Sequence, residues 1–117
     1  MVSLYKKELG KIKGISFQEI TPGCKSVYKD MVIMIDEKQY GRKQDELLRK
    51  LLRSGVEAKV YFYPPLHQKV VYKKYQHAVL PNTEMVSKSI LSLPLYAHMP
   101  RKEVLEVCRI IKDFAKK

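Results

Sequence analysis

The stretch from Gly55 to His67 reads Gly-Val-Glu-Ala-Lys-Val-Tyr-Phe-Tyr-Pro-Pro-Leu-His, and it limits what this chain can fold into more than any other segment. Val56, Ala58, Val60 and Phe62 alternate with Glu57, Lys59, Tyr61 and Tyr63. That period of two predicts a strand over 56–63 with one face on a core and the other open, carrying two tyrosines and a lysine. Pro64-Pro65 removes two backbone donors in succession, so ladder pairing must stop there and the chain must leave stiffly extended. His67 follows at once, delivered in a direction that the backbone sets.

The remaining segments predict what surrounds this strand. Tyr5, Leu9 and Ile12 are spaced for one face of a helix over 3–13, with Gly14 as its stop. Residues 15–25 read as loop, with Thr21-Pro22-Gly23 as a turn. Tyr28–Ile35, with the unbroken run Val-Ile-Met-Ile at its end, predicts a central strand covered on both faces. Leu47, Leu48, Leu51 and Leu52 form the apolar stripe of a helix over 42–53, which Gly55 ends in the left-handed conformation. A short helix is expected over 69–75, and another capped by Asn82 with Glu84 in its first turn. Leu91–Leu95 reads as a short strand. A last helix starts at Pro100 and carries Val104, Val107, Cys108, Ile111 and Phe114 on its apolar side.

The expectation is one α+β domain: a small, mostly antiparallel sheet of about three strands, with helices on one face. A chain of 117 residues that is 45% hydrophobic is long enough to bury a core. No apolar run reaches the roughly 20 residues of a membrane helix, and the N-terminus lacks the apolar core of a signal peptide, so a cytoplasmic location is expected. Cys24 and Cys108 lie far apart and read as two buried thiols.

Net charge is +11, but the lysines are spread along the whole chain and only five residues are arginine. Arginine is the better planar reader of phosphates and bases, and no nucleic-acid motif accompanies the charge. Specific nucleic-acid binding is therefore not expected. A diffuse basic surface suits an anionic small molecule or a partner surface equally well.

His67 is the leading candidate for chemistry. An imidazole held after a strand end suits acid-base work or a hydrogen bond to a phosphate or hydroxyl, and it also suits a packed histidine in a turn. Tyr61 and Tyr63 fit either a ligand wall or ordinary strand packing. His77 and His98 have no partner at metal-ligand spacing, and three histidines with two distant cysteines make no zinc set. The serines stand outside any nucleophile-elbow context, and the five glycines are isolated, so no phosphate loop exists.

Three segments together carry a family resemblance: Gly55–His67, then Leu80-Pro-Asn-Thr-Glu84, then Ile90-Leu-Ser-Leu-Pro-Leu-Tyr96. Their order and spacing resemble the C-terminal part of the DegT/DnrJ/StrS family of fold type I, pyridoxal-phosphate (PLP)-dependent sugar aminotransferases. Tyr5–Ile15, Ser26-Val-Tyr28 and Arg42–Leu51 resemble earlier parts of the same domain, so the likeness spans nearly the whole chain.

The resemblance implies a small C-terminal domain without the family's large PLP-binding domain. In the full-length family that large domain holds the Schiff-base lysine, the acid on the pyridinium nitrogen and the phosphate site. The reaction it implies is glutamate-dependent amination of a nucleotide-linked ketosugar, in polysaccharide or glycan synthesis. Its substrate-side contacts would be His67, Tyr63, Tyr28 and Ser26. No catalytic, cofactor-binding or metal-binding residue is expected within this chain. The partners implied are a nucleotide sugar, a large-domain polypeptide and, through an exposed apolar face, a second copy. The alternative is a freestanding regulatory module, of the kind called a pleiotropic regulatory protein, that binds a nucleotide sugar or anionic partner without catalysis.

Overall fold

Met31–Ile35 (β2) is the middle strand of a three-stranded antiparallel sheet in the computed structural model, which describes residues 1–116. It pairs with Ile15–Phe17 (β1) on one side and Ile90–Leu93 (β3) on the other. The registers Ile15↔Ile35 and Ile33↔Leu91 bring four aliphatic side chains onto one face. Met31, Ile33 and Ile35 are buried on that face, while Val32 and Met34 on the other are half-buried. The expectation of a strand covered on both faces is thus corrected: the helices cover only one.

Helices Val2–Leu9 (α1), Gln44–Arg53 (α3) and Arg101–Phe114 (α5) close the core over that face. Tyr5, Leu9, Leu47, Leu51, Val104 and Ile111 are all fully buried there. Each such aliphatic side chain contributes about 1.5–3 kcal/mol by leaving water. Leu52 lies off the stripe at half exposure. Gly55 follows α3 with φ 78°, the left-handed conformation expected of it. Helix α1 stops at Leu9 instead of reaching 13, because Gly10 and the turn at Gly14 start the approach to β1.

A junction not foreseen from the sequence sits where β2 ends. Asp36 Oδ1 accepts from the backbone N–H groups of Lys38 and Gln39, at 2.9 and 3.3 Å, and caps the single-turn helix Glu37–Tyr40 (α2). Gly14 O accepts from Asp36 N at 2.8 Å. Tyr40 turns inward, and its hydroxyl donates to Ile111 O at 2.5 Å. Lys116 N then donates to Tyr40 O at 3.1 Å.

The largest departure concerns residues 56–63. The alternation holds through Val60, with Ala58 buried and Val56 and Val60 half-buried. Only one rung pairs, however: Lys59 N donates to Ser92 O at 3.0 Å, and Ser92 N returns a bond to Lys59 O at 2.7 Å. β3 is four residues long and Pro94, which has no N–H, follows it, so its outer edge supports no longer ladder. The chain peels away, leaving Phe62 72% exposed. The third strand is β1, which lies within the segment read as loop.

Smaller differences have equally local causes. Tyr28 has φ 44° and stands outside the sheet, so β2 begins three residues later than expected. The helix Pro81–Ser87 (α4) starts on Pro81 at its first position, so Asn82 lies inside the first turn and does not cap it. Residues Leu66–Gln68 and Val70–Tyr75 form 3₁₀ turns, the second with no buried residue. Cys108 is buried as expected, but Cys24 is exposed, and both thiols are free.

Candidate functional site

The open face of the sheet presents Val32 and Met34 from β2 beside Ile90 from β3. Each of these three residues lines a different hollow, so the predicted site residues are distributed and do not form one cluster.

Ser26 and Tyr28 line the first hollow, a cavity of about 300 Å³ with Val32 in its wall. The left-handed backbone at Tyr28 is held by its N–H, which donates to Ser26 Oγ at 3.1 Å. Lys6, from α1, donates to the Tyr28 hydroxyl at 2.9 Å, and its ammonium lies 5.2 Å from the centre of the same ring. The result is an ammonium and two hydroxyls around one opening, a set that suits a phosphate or sugar hydroxyl. Lys6 escapes the sequence reading because it is twenty-two positions from Tyr28. No local pattern marks that distance.

Tyr63 stands on the rim of the second hollow, a broad groove of about 1400 Å³ that has Ser16 and Met34 among its lining residues. Lys38, Lys43 and Lys88 also line this groove. Tyr63 is 57% exposed and free to meet a molecule in the groove.

The third hollow, of about 410 Å³, is mostly apolar and lies between Phe62 and Leu66 on one side and Val86 and Ile90 on the other. His67 sits beside it but faces inward. The ring is only 8% exposed, and Nε2 lies 3.1 Å from Glu84 Oε1. Glu84 also accepts from Leu80 N at 3.4 Å. The hydrogen bond from His67, and next the one from Leu80, holds the Glu84 carboxyl below its ordinary range. The sequence reading uses Glu84 only to complement the α4 dipole and misses this pairing. After Pro64-Pro65 the His67 ring is buried and clasped to a carboxylate, which agrees with the packed histidine that the sequence also allows.

The described residues contain no group of three or more histidine, cysteine or acidic side chains placed to hold a metal ion. None of the described helices is long and apolar enough to cross a membrane.

The model of the DegT/DnrJ/EryC1/StrS aminotransferase family matches residues 1–112. DesI, solved in the presence of its TDP-sugar product, superposes with a TM-score of 0.87 at 24% identity, over 95% of this chain and 28% of that one. An aminotransferase of the same family from Brucella abortus gives 0.82 at 24% identity, over 99% of this chain and 30% of that one. DesV of S. venezuelae, solved in complex with a ketimine intermediate, gives 0.86 at 22% identity, over 99% and 30%. These likenesses establish the fold, and the chain spans 28–30% of the length of these three structures. With the family model matched over residues 1–112, the chain belongs to the DegT/DnrJ/EryC1/StrS aminotransferase family.

Proposed function

We propose that the chain is the small, substrate-side domain of a PLP-dependent nucleotide-sugar aminotransferase and performs no transamination by itself. The observation that carries this reading is the asymmetry of coverage. The solved relatives match 95–99% of this chain, yet the chain accounts for only 28–30% of each of them. A larger polypeptide would supply the cofactor site, and glutamate would supply the amino group.

The described residues do not fit the cofactor. PLP chemistry needs a lysine amine desolvated enough to be neutral and nucleophilic near pH 7. Every described lysine is exposed or half-buried. Lys59 is pushed the wrong way, upward, by its hydrogen bond and charge pairing with Glu57. What this chain would contribute is contact with substrate: Ser26 and Tyr28, with Lys6, at a phosphate or sugar hydroxyl, and Tyr63 at the groove rim. His67 would act from behind this surface, positioning the third hollow through Glu84.

The test has two arms. Mixing the chain with PLP and reducing with borohydride should trap no unique lysine; trapping at one residue overturns the reading. Adding a large-domain aminotransferase polypeptide should then produce turnover of a dTDP- or UDP-ketosugar that neither polypeptide shows alone. Saturable sugar-nucleotide binding by the chain, with no turnover on adding the large domain, would favour a freestanding binding module instead.

A further inference from the structure

The first hollow is short of acceptors at its best-held point. The Lys6 ammonium donates to the Tyr28 hydroxyl at 2.9 Å, so that oxygen already accepts one bond and its own proton is free to point elsewhere. Ser26 Oγ accepts from Tyr28 N at 3.1 Å and likewise keeps its proton. Lys6 has two further protons and meets no carboxylate among the described residues. Three spare donor groups therefore stand around one opening, fixed by each other and by the Tyr28 ring beneath the ammonium. A sugar hydroxyl would use only its acceptor side there. A phosphoryl group, with several lone pairs and a negative charge, uses all three donors.

The rest of the wall differs in sign. Asp30 also lines the hollow and has no ion-pair partner among the described residues. Its carboxylate accepts only, so it suits a hydroxyl, while Lys29 on the same wall offsets its charge. At about 300 Å³ the hollow lies at the lower end of the range for small-ligand sites, about 300–1,000 Å³. That leaves room for one sugar-phosphate unit and not for a whole nucleotide sugar.

We propose that Lys6 is the specificity-determining residue of the first hollow: with Tyr28 and Ser26 it seats one phosphoryl group, and Asp30 takes a hydroxyl of the sugar joined to it. This narrows the contact named above to a phosphate at Lys6 and a hydroxyl at Asp30. That the unit belongs to a nucleotide sugar rests on the function proposed above; the hollow itself is complete within this chain.

The probes are glucose 1-phosphate, glucose and inorganic phosphate, titrated separately into the ¹⁵N-labelled chain. Glucose 1-phosphate should give saturable shifts at Lys6 and across 26–32, inorganic phosphate weaker ones and glucose none. Lys6→Gln should weaken glucose 1-phosphate about tenfold or more, the loss expected of a charge-assisted hydrogen bond. Lys7→Gln removes the same charge from an exposed neighbour and should leave binding unchanged. Asp30→Asn should weaken glucose 1-phosphate but not inorganic phosphate. No saturable binding overturns the proposal, as does glucose binding as tightly as its phosphate. Equal losses in the Lys6 and Lys7 variants overturn it by reducing the effect to net charge. Inorganic phosphate binding as tightly as glucose 1-phosphate, or a DNA oligonucleotide binding more tightly at the same residues, overturns it too. If no sugar phosphate binds but a large-domain polypeptide still restores turnover, the hollow's assignment falls and the domain reading stands. If it binds and no turnover is restored, the hollow stands and the aminotransferase reading falls.

Discussion

His67 Nε2 lies 3.1 Å from Glu84 Oε1, and this contact joins the two ends of an excursion in which no residue from Val70 to Tyr75 is buried. One side of the third hollow is carried by Pro65 and Leu66, beside His67, and the other by Thr83 and Val86, beside Glu84. The clasp therefore sets the width of that hollow as well as the position of the excursion.

The pH dependence of the clasp follows from the carboxylate. A carboxyl whose folded pKa is depressed adds stability above its unfolded value, and that stability disappears as pH falls through the folded value. Glu84 is depressed first by its bond from His67. Amide exchange across 68–83, corrected for its intrinsic pH dependence, should accelerate on acidification through the carboxylate range. Glu84→Gln should raise exchange at neutral pH and flatten that acid response. An unchanged profile in the variant would show that the clasp does not hold the excursion.

Tyr40 should behave as a side-chain cap for α5. Ile111 O is one of the last four carbonyls of that helix, which have no partner within the helix, and Tyr40 supplies one at 2.5 Å. Tyr40→Phe keeps the ring and removes the donor, and should cost about 1–2 kcal/mol in chemical denaturation. Tyr40→Ala also opens a cavity and should cost about 3–5 kcal/mol.

Two left-handed glycines should differ sharply under substitution by alanine. At Gly55, φ 78°, an added Cβ meets nothing within 4 Å, so Gly55→Ala bears only the conformational penalty of about 1–2 kcal/mol. At Gly14, φ 82°, the same atom would lie 2.4 Å from Tyr40 N and 2.9 Å from Asp36 O. Those are backbone atoms of the β2–α2 junction, so Gly14→Ala should add an overpacking loss of about 1–3 kcal/mol to the conformational one. Equal midpoints for the two variants would contradict this.

The cysteines should separate by reactivity. Burial, with Glu8 nearby adding to the effect, pushes the Cys108 thiol up to about 12. Cys24 is exposed. Iodoacetamide at mildly alkaline pH should modify Cys24 in the native chain, and Cys108 only in denaturant, as read by peptide mass. The same raised pKa means that stability falls as pH rises past the unfolded thiol value, because only the unfolded chain then loses that proton.

Helices α3 and α5 are legible in the sequence because ten or more residues repeat one apolar face, and such a repeat survives any tertiary surrounding. β1 is not legible, because three residues are too few to show a period. The 56–63 stretch misleads for the opposite reason. Its alternation is real as far as Val60, but a strand needs a partner edge, and β3 with Pro94 behind it is too short to provide one. The same limit applies to the site. Tyr63 and Tyr28 are visible as residue types in a family pattern, whereas Lys6 and Glu84 become relevant only when the fold brings them across twenty-two and seventeen positions.

Val32, Met34 and Ile90 stand side by side on the uncovered face of the sheet, each contributing to a different hollow. Their spacing is locked by the register that buries Ile33 and Leu91 behind them, since a slip of one residue would turn the core outward. The first hollow thus has a rim of its own, the loop around Tyr28, while the other two both draw on residues 61–66 and on α4. Lineages of this fold can rebuild the Tyr28 loop without disturbing the other two hollows. Diversification can therefore proceed in that compartment over an unaltered foundation.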